Sequence, residues 1–242
     1  MKKLFFLLLV LCVAFTAVSA LAEEANSADY LAENPEAKPF ESIWVADDGD
    51  WRVEVFIEDD GPRIGVIHRL EGKRDMWEYA CSLQGKTLVS APFGLHYLED
   101  ISTGDWDKTY YEDGEAEFSI NEAGKLIWTD KKEDAGKDLE FEKIGRFCGT
   151  RWMKGADTEV IFYDWYDGEY DIRVYQYGTD REILKNAILK GTYDAAADTV
   201  TAQGEFDGEE PMVITFSYDA ENNVVWTENG LSTALEYSFY TD

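Results

Sequence analysis

Phe118-Ser-Ile-Asn-Glu-Ala-Gly-Lys-Leu-Ile-Trp128-Thr-Asp130 returns 98 residues later as Phe216-Ser-Tyr-Asp-Ala-Glu-Asn-Asn-Val-Val-Trp226-Thr-Glu228. Each copy reads strand, polar turn, strand, with an aromatic residue at either end in the same phase. Upstream, Phe40 matches Phe147 and Asp60-Gly61 matches Asp167-Gly168 at a spacing of 107; downstream, Leu139-Glu-Phe141 matches Leu235-Glu-Tyr237 at 96. The falling spacing puts roughly nine extra residues in the first copy, between Pro92 and Thr109, a stretch that holds His96 and Asp105-Trp106-Asp107. Two homologous domains follow, residues 40–144 and 147–240.

The rest of the chain agrees with β structure. Trp51-Arg-Val-Glu-Val55, Thr199-Val-Thr-Ala202 and Met212-Val-Ile-Thr-Phe216 alternate with period two and are rich in β-branched and aromatic residues. Asp-Gly pairs at 48–49, 60–61, 113–114, 167–168 and 207–208 supply tight-turn chemistry. No segment after residue 40 keeps a helical period for long. The fold class is all-β: two tandem antiparallel meander β-barrels of about 100 residues each, with a small sandwich as the alternative closure. A barrel removes exposed sheet edges, and at eight strands it is either filled by side chains or holds one small ligand.

The chain has 242 residues, 22 basic and 50 acidic, for a formal charge of −28. That charge repels phosphate backbones and anionic lipid surfaces, so nucleic-acid partners are excluded. Lys2 and Lys3, the apolar run Leu4–Ala17 and the small-x-small site Ala20-Leu21-Ala22 read as a signal peptide over 1–22. The mature protein is expected outside the cell, secreted or held at the surface, with no membrane insertion after cleavage. Residues 23–39 read as an acidic flexible tether with one helical turn around Ser27–Glu33. Cleavage leaves Cys81 and Cys148. An oxidising compartment admits one disulfide between them, and two separately buried thiols are the alternative.

Trp77-Glu-Tyr-Ala-Cys81-Ser-Leu83, Phe147-Cys-Gly-Thr-Arg-Trp152 and the Phe-Ser…Trp-Thr hairpin together resemble exported, repeated lipocalin-like or calycin-like β-barrel proteins of Gram-positive gut bacteria. The resemblance implies a fold and an extracellular address. It implies no catalytic residue.

Chemistry is sparse. His68 is in phase with Ile64 and Val66 and reads as structural, whereas His96 lies in the stretch peculiar to the first copy. No zinc motif, serine elbow or phosphate loop occurs. Asp164-Trp165-Tyr166-Asp167-Gly168-Glu169-Tyr170-Asp171 interleaves aromatics with acids, as a sugar-contacting hairpin does, or as a polar hairpin with core-facing aromatics does. The candidate ligand-binding residues are therefore Trp165, Tyr166, Tyr170, His96 and Trp106. Ca²⁺ is the one cofactor the acidic turns admit, at Asp47, Asp48 and Asp50 or at Asp59 and Asp60, though neither run has EF-hand spacing. The expected function is non-catalytic binding of a small molecule, glycan or partner protein. The alternatives are an acid-type glycoside hydrolase using Asp164, Asp167 and Asp171, and a purely structural surface component.

Overall fold

The computed structural model describes residues 28–166, 169–206 and 210–238, the side chains of residues 28, 29, 164 and 166 excepted. The signal peptide assigned to residues 1–22 lies outside the described residues. In the first half, β1 (Ser42–Ala46), β2 (Trp51–Glu58), β3 (Gly61–Leu70), β4 (Lys73–Gln84), β5 (Thr87–Ser90), β6 (Gly94–Asp100), β7 (Trp106–Gly114), β8 (Ala116–Ile120), β9 (Leu126–Asp130) and β10 (Glu140–Gly145) form one antiparallel sheet. The pairing of β3 with β4 closes it into an eight-stranded barrel of β1–β5 and β8–β10, from which β6 and β7 project.

The second half repeats this order. Its strands are β11 (Arg151–Lys154), β12 (Thr158–Tyr166), β13 (Glu169–Tyr177), β14 (Ile183–Asp194), β15 (Thr199–Phe206), β16 (Met212–Tyr218), β17 (Val224–Glu228), β18 (Leu231–Ala234) and β19 (Glu236–Tyr237). Each pairs antiparallel with its neighbour and β19 returns to β11, leaving a seam beside β18 where buried Leu235 fills the gap.

The repeated hairpin shows why the two copies fold alike. In β8–β9, Asn121 Oδ1 accepts from the backbone N–H of Ala123 and Lys125; in β16–β17, Asp219 Oδ1 accepts from Glu221 and Asn223. The side chain thus closes the turn by imitating a backbone acceptor. Gly124 and Asn222 occupy the same left-handed position, with φ of 80° and 62°. Alternation then sends Phe118 and Trp128, like Phe216 and Trp226, into the two interiors.

Two features tie the halves together. All five residues of β1 are buried: Trp44 and Ala46 face the first interior, while Ile43 and Val45 join Ile144 in the core of the second. Buried Tyr170 donates its hydroxyl to the Ile144 carbonyl, and the Arg146 guanidinium lies 4.3 Å above the Tyr218 ring. The expected tether also needs correction from Ala28 on. The helical turn forms as α1 (Ala28–Glu33), but Tyr30 and Leu31 pack on the first core, and a 3-10 turn (Pro35–Phe40) buries Ala37 and Phe40. Apolar side chains at these positions plug one barrel end, so the segment is held and not loose.

Half-buried Lys143, at the junction of the barrels, is held below the usual lysine range. Loss of water is the main cause, with Lys38 and Arg146 adding repulsion and Asp198 and Glu41 opposing it. A depressed lysine pKa means the unfolded chain binds more protons, so the penalty is present at neutral pH and fades as pH rises toward 10.5. Lys143→Met is therefore expected to raise the thermal midpoint at pH 7, with the gain shrinking toward pH 10, as scanning calorimetry across that range would read.

Candidate functional site

The end of the first barrel opposite the α1 plug departs most from its counterpart. Along β4, β5 and β6 behave as one bent strand: Cys81–Gln84 pair with β5 and Lys73–Glu78 with β6. Beside them β7 and β8 make the return strand, so β6–β7 is a long hairpin leaving the wall where Gly94 faces Gly114. A Cβ on Gly94 would lie 2.5 Å from the Tyr79 ring, and one on Gly114 would lie 2.5 Å from the Tyr111 ring. The glycines are there so that two tyrosines can pack under the bend.

Strand register then stacks aromatic rings in a column. Trp51 opposes His68 on β2–β3, and Trp77 opposes His96 on β4–β6. Ring centroids are 4.0 Å apart for Trp51–His68, 5.6 Å for Trp51–Trp77, 4.2 Å for Trp77–His96 and 4.3 Å for His96–Tyr110, all stacked. Lys108 Nζ caps the column 3.9 Å from the Tyr110 ring. Trp128 abuts Trp77 edge-on. In the second barrel, Thr158 opposes Gln176 where Trp51 opposes His68, and Ala187 stands in place of Trp77.

His96 is buried, with Nε2 2.9 Å from Asp75 Oδ1 and Nδ1 3.0 Å from Glu133 Oε2. Glu133 comes from the loop over residues 131–138, which buried Asp130 folds by accepting from the N–H of Lys132, Glu133 and Ala135. Gly136 rests on the Trp128 ring, and Lys132 pairs with Asp113 of β7, so loop and hairpin cover the barrel end together. Beside them opens a cleft of about 500 Å³ lined by Trp128, Asp130, Ala135, Lys137 and Leu139.

On the outer face of the hairpin, Trp106 is 55% exposed and stacks on Tyr97 at 4.3 Å. Tyr97 is fixed in turn by donating to Glu78 at 2.7 Å, and its burial raises its hydroxyl pKa. Lys73, Asp107 and Glu99 surround this platform.

The sequence-derived residues divide clearly. His96 and Trp106 share the β6–β7 hairpin but face opposite sides of it. Tyr170 is fully buried, in phase with Ile172 and Val174, and donates its hydroxyl to the Ile144 carbonyl. Trp165 is half-buried and packs on the second core, beside Cys148 and Arg52. The side chains of Tyr166 and Asp164, together with Asp167, lie outside the described residues, while Asp171 is exposed and paired to Lys190 at 2.6 Å. The disulfide is not formed. Cys81 belongs to the first core, where burial pushes its thiol up to about 12, and Cys148 sits in the second, donating to the Tyr163 carbonyl. Asp47, Asp48 and Asp50 lie before β2 and Asp59 and Asp60 after it, so an eight-residue strand of roughly 26 Å separates the two acidic runs. Among the described residues no three His, Cys, Asp or Glu side chains converge as a metal site.

The residues missed from sequence are Trp51, Trp77 and Trp128, whose stacking depends on register that no local pattern specifies. Comparison with known protein families, curated proteins and solved structures yields no match for the chain.

Gly94→Ala is expected to displace the Tyr79 ring and cost about 1–3 kcal/mol, the ordinary penalty of overpacking. Gly65→Ala, which meets open space, should leave the denaturant midpoint unchanged.

Proposed function

We propose that this is an exported, non-catalytic binding protein whose recognition surface is the β6–β7 hairpin of the first barrel, with glycans as the ligand class. One observation carries the reading: both interiors are filled by side chains, while the exposed tryptophan platform sits on the one large element that the first repeat has and the second lacks. Without a hollow interior, a ligand must be met from outside. An indole face on a rigid tyrosine base, bordered by carboxylates and lysines, suits the apolar face and the hydroxyl rim of a pyranose.

The amino-terminal pattern of Lys2, Lys3, Leu4–Ala17 and Ala20-Leu21-Ala22 supports export. The lipocalin-like resemblance supports a Gram-positive surface as the setting. The hydrolase alternative gains nothing from Asp171, whose carboxylate is neutralised by Lys190 on an exposed face.

A glycan array followed by calorimetric titration tests the proposal. Trp106→Ala should weaken binding of the best glycan about tenfold, near 1.4 kcal/mol, with an unchanged thermal midpoint. Absence of glycan binding, or equal affinity in the variant, would count against it.

A further inference from the structure

The outer wall of the first barrel is notched where the second barrel's wall is filled. Gly65 on β3 stands in register between Glu54 on β2 and Glu78 on β4. A Cβ on Gly65 would meet nothing within 4 Å, so the strand leaves an opening at its middle. Phe56, Met76, Phe93 and Leu95 stand around it and, with the two carboxylates, enclose a groove of about 490 Å³. Phe56 and Phe93 are 47% and 64% exposed, so their ring faces are open to a guest.

At the same place the second barrel carries an arginine. Three pairs inward from Trp51–His68 stands Glu54–Gly65, and the same step from Thr158–Gln176 reaches Ile161–Arg173. On the other side Gly65 faces Glu78, whereas Arg173 faces Ile188. The Arg173 guanidinium lies 5.0 Å from the centre of the Tyr163 ring. Tyr163 follows Ile161 by two residues, as Phe56 follows Glu54. One repeat thus holds its own arginine on an aromatic ring between two apolar side chains. The other sets an aromatic ring and two carboxylates around a glycine.

Charge and shape together name the guest. Two strand spacings put Glu54 and Glu78 roughly 10 Å apart at the backbone, room for one planar cation between them. Glu54 Oε1 pairs with Arg52 Nε at 2.8 Å, and Glu78 Oε1 accepts from Tyr97 at 2.7 Å. A carboxylate accepts at about four positions, so both keep capacity for a further donor. Arg63, opposite Phe56, is turned to Glu58 and Asp60, which neutralise it. A guanidinium stacks on aromatic faces and is less hydrated than an ammonium, so it suits apolar walls better than lysine does. We propose that the notch over Gly65 binds the arginine side chain of a partner peptide, its guanidinium on Phe56 between Glu54 and Glu78. The site is separate from the Trp106 platform and does not rest on glycan binding there.

Nitrogen–proton spectra of the full chain, titrated at physiological salt with capped Gly-Gly-Arg-Gly-Gly and with its lysine and citrulline analogues, test the proposal. The arginine peptide should shift the Gly65 and Glu78 amides saturably and bind more tightly than the lysine peptide. The neutral citrulline peptide should leave both amides in place. Gly65→Arg, which copies the second barrel, should abolish the response at Glu78 with an equal or higher thermal midpoint, because the position is open and glycine weakens a strand. Glu54→Gln should weaken the arginine peptide about tenfold, the loss expected when a hydrogen bond to a charged group goes. Trp106→Ala should bind the peptide as the parent does, which separates failure here from failure of the glycan reading. No shift at Gly65 and Glu78, shifts scattered over the acidic surface, or equal affinity for the arginine and lysine peptides would overturn the proposal. An undiminished response in Gly65→Arg or Glu54→Gln would do the same.

Discussion

An eight-stranded antiparallel wall encloses a volume that side chains must fill, because a void forfeits dispersion contacts and a dry cavity carries its own cost. The two halves of this chain meet that requirement with different residues on one strand order. The second barrel uses Ala187, Leu189, Ala202 and Val200 around Phe162 and Phe216. The first uses Trp77, Tyr79, Tyr111 and Trp128, which fill the same kind of space but bring N–H and O–H groups into it. Both fillings fold.

The same constraint shapes the surroundings. Large rings at one end of the first barrel need room, which Gly94 and Gly114 provide at the bend where the hairpin departs. They also need cover, which the hairpin and the Asp130-capped loop supply. At the other side, β1 is buried on both faces, so the first barrel's wall completes the second barrel's core and the two share Ile43, Val45 and Ile144. Tyr170 belongs to this junction, and Trp165 packs on the second core beside it.

Much of this was legible in the residues. The repeated hairpin, its turn chemistry, the place of the extra segment in the first copy and the helical turn near Ala28 follow from local pattern, and local pattern is what fixes them. The phase of Tyr170 with Ile172 and Val174 was visible too, as was the unbroken apolar run Ile43-Trp-Val-Ala46 that marks a strand buried twice. Asp113-Gly114 shows the limit of a turn signal. Gly114 sits at a strand bend without a positive φ, and it is there for the Tyr111 ring. The aromatic column was out of reach because stacking depends on which strands pair and at what offset.

The central claim is that the β6–β7 hairpin of the first barrel is the proposed recognition surface and that the second barrel has no counterpart to it. Nitrogen–proton correlation spectra of the uniformly labelled protein resolve the indole N–H groups one by one. Titration with the best glycan should shift the Trp106 signal and leave Trp152 and Trp226 in place. Equal shifts in all three, or none in Trp106, would contradict the account.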